Sequence, residues 1–369
     1  MTLRSLRRKK RKTALVLSGG GITAAAYEIG CLAALDQRLG SQFANTFFDI
    51  YIGVSAGAII AAMVASQVPA GKLYAAIAEE QQCLLNFKRG DIYRFDGWSF
   101  LGACWGAIRD VVTTSYTPGP SWRDLSFSEF LYRLQEQLPS GLFSLTPLRD
   151  YLAEIFRCEG IADDFVRLAR EFYVPAIDLD RGRRVVFGSE GWRHVAISDA
   201  VPASCAVPAF FRPYEINGRH YIDGATAGNT PIDVAIEHGA ELVVVVNPLV
   251  PFDNDPEQPG SSEPSPKAVT SVSEMGVSCI GEQSSRISSR ERFEAALVLC
   301  RRAHPDVEIV VFEPSCTDSL MLLRSPMSFQ RRRHVMEYAH QVTLETIDAR
   351  AEWYQDRFDG HGHPRAAAS

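Results

Sequence analysis

The chain has 369 residues, a formal net charge of −6, 46% hydrophobic residues and 22% charged residues. That length supports a large core, and the balance excludes a disordered, collagen-like or disulfide-scaffold chain. No continuous apolar run of about 18 residues reads as a bilayer span, and the eight cysteines lack C-x-x-C or cysteine–histidine zinc spacing, so they read as reduced thiols of a cytoplasmic protein.

In chain order, "MTLRSLRRKKRK" carries seven Lys or Arg and no acid; removing its +7 from the net −6 leaves −13 on the rest. A basic arm ahead of an acidic body suits an anionic partner such as membrane phospholipid or nucleic acid, or serves as a solubilising tail. "TALVLS" is too short for a secretory apolar region. "TALVLSGGG" (13–21) reads as a buried strand entering a glycine loop, and residues 22–39 as a helix with apolar positions at helical spacing. A second apolar strand over 47–52 meets Gly53-Val54-Ser55-Ala56-Gly57, and a small-residue helix runs to about Ser66. Strand, loop and helix in repetition predict a parallel sheet covered by helices.

Residues 67–150 read as helices and loops, with "WSFLGACWGAIRDVV" (98–112) as a core helix or an interfacial lid. Residues 171–190 form two strands around an Asp-Arg-Gly turn, followed by a helix broken by prolines. "RPYEINGRHYIDGA" (212–225) is a hairpin with an Asn-Gly turn, and "ELVVVVNP" (241–248) suits a sheet covered on both faces. Residues 251–274 are rich in Pro, Ser and acids and read as a mobile loop. Two helices flank a strand over 306–314, a long amphipathic helix spans 330–358, and the last residues fray.

G-x-S-x-G between a strand and a helix is the setting of an exposed nucleophile, with the helix dipole aimed at developing negative charge. An α/β-hydrolase triad does not fit, because only one strand unit precedes Ser55 and His220, His238, His361 and His363 lie in a hairpin, a helix end and the tail. The consecutive glycines at 19–21 leave backbone N–H groups open to an oxyanion or a phosphate. Gly19-x-Gly21-x-x-Ala24 is also a partial dinucleotide fingerprint. Asp223 ends an apolar strand and precedes small residues; a carboxylate there takes a proton directly from a serine once desolvation raises its pKa, and an Asp-Gly pair is equally a turn former.

In this order, "SGGG" (18–21), "GVSAG" (53–57) and "DGA" (223–225) resemble the patatin-like phospholipase family, as do "AIDLDRGRRVVF" (176–187) and the stretch 197–248. The resemblance covers roughly residues 13–250. It implies a three-layer α/β/α fold with a central, mostly parallel sheet and a Ser–Asp dyad. Ser55 would be the nucleophile and Asp223 the base, with Gly19, Gly20 and Gly21 as the oxyanion hole and Gly53, Gly57, Gly224 and Ala225 as motif positions. It implies hydrolysis of lipid acyl esters at membrane surfaces, with neither cofactor nor metal. The glycine loop departs from the family pattern, with Thr23 near the place of a basic residue and Ala24 in place of a glycine.

The expected organisation is a basic arm (1–12), a catalytic domain (13–250), a mobile loop (251–274) and C-terminal helices with one strand packing on the domain (275–369). The expected function is a cytoplasmic lipid acyl hydrolase, phospholipase A-like, touching membranes peripherally through the arm and binding no nucleic acid. The alternatives are a soluble esterase or thioesterase, an inactive lipid-binding scaffold and, more distantly, a nucleotide-binding protein.

Overall fold

The computed structural model describes residues 11–97, 105, 140–253, 271–321 and 326–359. Most of the predicted arm, of the 98–112 helix and of the 251–274 loop lies outside the described residues, as do residues 360–369. The strands are β1 (Thr13–Leu17), β2 (Ile50–Gly53), β3 (Arg94–Phe95), β4 (Gly141–Ser144), β5 (Glu171–Asp178), β6 (Arg183–Phe187), β7 (Ala209–Phe211), β8 (Tyr214–Ile216), β9 (Arg219–Asp223), β10 (Leu242–Val246) and β11 (Glu308–Phe312).

The central sheet has the order β11-β10-β1-β2-β5-β9-β8, with β6 also paired to β5. The run from β11 to β5 is parallel; β6, β9 and β8 join antiparallel. Parallel strands need covered faces, and the side-chain alternation shows both covers. Leu15, Leu17, Tyr51, Val244 and Val246 enter one apolar cluster with the helices Gly21–Leu39, Ala56–Ala65 and Arg332–Asp348. Ala14, Val16, Ile50, Ile52, Val243 and Val245 enter the other, with the helix Ile232–Glu237 and Phe293 of the helix Val277–Ala303. The result is the predicted three-layer α/β/α arrangement. The Asn217-Gly218 turn between β8 and β9 has φ of 52° and 74°, the paired positive values that a two-residue hairpin turn demands.

Two elements depart from the sequence reading. A small second sheet, β3-β4-β7, takes β3 and β4 from the region read as helices and loops and β7 from the end of the stretch read as a proline-broken helix; its strands are two to four residues long, too short for a periodic signal. The long helix over 330–358 divides into Arg332–Asp348 and Ala351–Asp359. The break turns Tyr354 onto Phe312 and Phe358 onto Phe43 and Phe47, with ring centroids 5.3 to 5.6 Å apart, so apolar burial sets the second axis. In the C-terminal part, β11 is hydrogen-bonded to β10 within the central sheet, and the helix Arg332–Asp348 packs along Gly21–Leu39, with Arg38 Nε 2.7 Å from Asp348 Oδ1.

Glu28, on that first helix, is fully buried, and neither carboxylate oxygen has a hydrogen-bond partner. Burial pushes its pKa well above the usual carboxylate value. A carboxyl that binds its proton more tightly folded than unfolded lowers stability as pH rises above the unfolded pKa. Glu28→Met is therefore expected to raise the Tm, and by more at pH 8 than at pH 5, in thermal unfolding followed by circular dichroism.

Candidate active site

The loops after β1, β2 and β10 leave the same, carboxyl edge of the sheet. The chain first builds from β1 to β2 to β5 and then returns to the other side of β1 with β10, so β1 and β10 flank the point where strand order reverses. Crevices at such points are where open α/β sheets bind ligands. By contrast, a cleft of about 500 Å³ is lined by Lys12, Asp49, Arg170, Glu171 and Glu241 at the amino ends of the strands. Its charges are paired, Lys12 with Glu171 at 2.6 Å and Arg170 with Asp49 at 3.4 Å, and no serine, threonine or cysteine lines it.

Ser55 joins β2 to the helix Ala56–Ala65 with φ 53° and ψ −127°, a conformation costly for a residue with a Cβ. The strain sits on the serine itself, and the flanking glycines serve close approach. A Cβ on Gly57 would lie 2.5 Å from the Leu17 carbonyl oxygen, and one on Gly53 would lie 2.4 Å from Ala58 Cα. The Ser55 N–H donates to Ser204 Oγ at 3.0 Å, and that hydroxyl donates to the Pro175 carbonyl at 2.6 Å. Ser55 is only 5% exposed.

Asp223 closes β9 opposite Ala176 of β5. Its N–H donates to the Ala206 carbonyl at 3.0 Å, and its Oδ1 accepts from the Ala225 N–H at 2.8 Å. Oδ2 is buried with no hydrogen-bond partner. Burial pushes the carboxyl up to about 6, while the Ser55 hydroxyl and the Ala225 amide pull the other way. Ser55 thus lies close enough to stabilise the carboxylate, short of a formed hydrogen bond. Gly224 packs so tightly that a Cβ would stand 2.2 Å from the Pro175 carbonyl oxygen.

The glycine loop borders the serine, since a Cβ on Gly19 would come within 2.8 Å of Ser55 Cβ. The three predicted donors are not equivalent. The Gly19 N–H is donated to Asn229 Oδ1 at 2.9 Å, and Asn229 Nδ2 returns a bond to the Gly19 carbonyl at 3.3 Å. Gly20 and Gly21, with φ of 142° and 74°, are partly exposed at the start of the first helix. Their N–H groups make no hydrogen bond to another described residue. Thr23 is buried; both its N–H (3.1 Å) and its hydroxyl (3.4 Å) donate to the Pro326 carbonyl. A C-terminal segment is thereby fastened beside the loop.

Sequence reasoning missed Asn229, Ser204 and Pro326. Asn229 stands six residues after Asp223 in "GNTP", a turn-forming run that marks a loop, though not its partner; Ser204 is masked by the small residues of its helix.

A family model described as patatin-like phospholipase matches residues 15–236, the span from β1 through the Ser55 turn to the helix after Asp223. The chain belongs to the patatin-like phospholipase family. Over 234 residues it is 24% identical to a probable lipid hydrolase, 463L, of Invertebrate iridescent virus 6; the match takes in 63% of this chain and 66% of that protein. The chain thus spans just under two thirds of that relative. Among solved structures, VipD from Legionella pneumophila is similar with a TM-score of 0.41 and 16% identity, over 92% of this chain and 67% of that one. Human GIVD cytosolic phospholipase A2, in complex with methyl gamma-linolenyl fluorophosphonate, matches with a TM-score of 0.35 and 13% identity, over 95% of this chain and 59% of that one. Among the described residues, no helix is long and apolar enough to cross a membrane.

The strain at position 55 is directly measurable. Ser55→Gly and Ser55→Ala both remove the hydroxyl, but only glycine accepts the observed φ and ψ freely. Ser55→Gly is expected to be about 1 kcal/mol more stable than Ser55→Ala in denaturant titration.

Proposed function

We propose that the protein hydrolyses acyl esters of lipids with Ser55 as nucleophile and Asp223 as general base. The observation that carries this reading is the open, buried Oδ2 of a carboxyl pushed up to about 6, beside a serine held in a strained turn. A carboxylate of ordinary basicity is a weak base; desolvation brings Asp223 closer to the pKa a general base needs near neutrality. Among the described residues no histidine is hydrogen-bonded to Ser55 or Asp223, and direct Ser-to-Asp proton transfer needs none.

In the proposed sequence, Ser55 Oγ attacks the ester carbonyl carbon and its proton passes to Asp223. The carbonyl oxygen becomes an oxyanion facing the N–H groups of Gly20 and Gly21, at the positive end of the first helix. Collapse breaks the bond to the alcohol, which leaves with the proton from Asp223. Water then attacks the acyl-serine, giving its proton to Asp223, and the carboxylic acid departs as Ser55 regains a proton.

Family membership favours a lipid substrate. The basic arm over 1–12 would favour anionic membrane surfaces. Thr23 supplies no cation where the family pattern has one, which favours substrates selected by their acyl chain over those selected by a charged head group.

A fluorophosphonate probe tests the nucleophile. Wild type is expected to label and Ser55→Ala not; labelling of Ser55→Ala, or full esterase activity in that variant, refutes the dyad. Assays on phospholipid vesicles beside a short soluble ester separate a lipase from a soluble esterase. Because the base works deprotonated, kcat/KM is expected to rise through about pH 6 and level off above it. Asp223→Asn is expected to lose about 10²–10⁴ in kcat and to lack that titration.

A further inference from the structure

The chain leaves β10 as Asn247-Pro248-Leu249-Val250-Pro251-Phe252, on the far side of the glycine loop from Ser55. It meets the helix Val277–Ala303, whose buried residues are only Arg286 and Phe293. Arg286 is 1% exposed. Its Nη1 donates to the Pro248 carbonyl (3.4 Å) and the Val250 carbonyl (3.1 Å), its Nη2 to the Met321 carbonyl (3.0 Å), and its Nε to Glu282 Oε1 (2.8 Å). One turn earlier, Gln283 accepts from the Phe252 N–H at 3.1 Å and donates to the Phe252 carbonyl at 2.7 Å.

The carbonyls of residues 248, 250 and 252 are therefore all taken by one helix face. Prolines at 248 and 251 remove two N–H groups and favour extended backbone before them, which leaves carbonyls as the groups a planar guanidinium fork can hold. Between the clamped residues, Leu249 lies against the glycine loop: a Cβ on Gly20 would stand 2.9 Å from Leu249 Cδ2. Burying a guanidinium is costly, and an apolar side chain would fill the same space. What the arginine adds is direction, because its fork sets the carbonyls on either side of Leu249.

We propose that Arg286 is a positioning residue for acyl transfer. Holding Pro248 and Val250, it presses Leu249 against Gly20 and so sets the direction of the Gly20 and Gly21 N–H donors. The proposal rests on the reading of those amides as the oxyanion hole.

The test uses the full chain and the variants Leu249→Ala, Arg286→Lys, Gln283→Ala and the double variants that combine Leu249→Ala with each of the other two. Each is measured for fluorophosphonate inactivation rate, for kcat and KM on a short soluble ester, and for Tm. Leu249→Ala and Arg286→Lys are each expected to slow inactivation and kcat by about 10- to 100-fold with KM within about twofold, the size of effect that small misplacements of reacting groups produce. Each double variant is expected to be no slower than its slower single, because both changes act through Gly20. Wild-type rates in Leu249→Ala, or losses that multiply in the double variants, overturn the proposal. If Arg286→Lys fails to fold, Gln283→Ala, altered at a half-buried position on the same clamp, carries the same comparison with Leu249→Ala. Wild type that does not label at Ser55 refutes the dyad instead, whereas labelled wild type with an unaffected Leu249→Ala overturns the clamp alone.

Discussion

Everything at the carboxyl edge of the sheet depends on one backbone contact, that of Gly57 with the carbonyls of Leu17 and Ser18. A single added methyl at Gly57 would stand 2.5 Å from one carbonyl oxygen and 2.7 Å from the other. The contact draws the start of the serine helix onto the end of β1, so the turn after β2 and the loop after β1, already adjacent through the β1–β2 pairing, are brought into close contact. With it, the glycine loop borders the serine so closely that a Cβ on Gly19 would stand 2.8 Å from Ser55 Cβ.

The surrounding polar groups fix this junction from three further directions. Ser204 ties the amide of Ser55 to β5, Asn229 ties Gly19 to the loop that follows Asp223, and the Ala206 carbonyl holds the amide of Asp223 itself. Each partner is buried, and Ser204 and Asn229 each make a second hydrogen bond that holds them in one arrangement. The exceptions are informative. Asp223 Oδ2 is left without a partner, and Ser55 is left in a strained conformation. Both cost stability, and both are features of a base and a nucleophile in the proposed chemistry.

Much of this was legible in the sequence because the relevant signals are local. Four successive valines announced β10 as a strand covered on both faces, Asn217-Gly218 announced a hairpin, and G-x-S-x-G between a strand and small helix-forming residues announced the turn at Ser55. What stayed hidden depends on distance. Nothing near Gly19 tells that its amide is taken by a side chain 210 residues away, so three consecutive glycines read as three equal donors. Thr23 read as the loss of a basic residue, whereas its buried hydroxyl and amide both hold Pro326. The strands β3 and β4 are too short to show a period, and the division of the last helix is set by rings of Phe43, Phe47 and Phe312 that lie in other parts of the chain.

The pairing of β11 with β10, and of the helix Arg332–Asp348 with the first helix, has a consequence for biosynthesis. Arg38 and Asp348, which meet across those two helices, are 310 residues apart in sequence. Contacts of such separation form late, because the loop between them must be closed before they contribute. On the ribosome, the amino-terminal half emerges with its first helix lacking a cover and the Pro326 carbonyl not yet made. The glycine loop can take its final shape only once residues 326–348 have been translated, so a chain terminated before them would present an apolar helix face to chaperones.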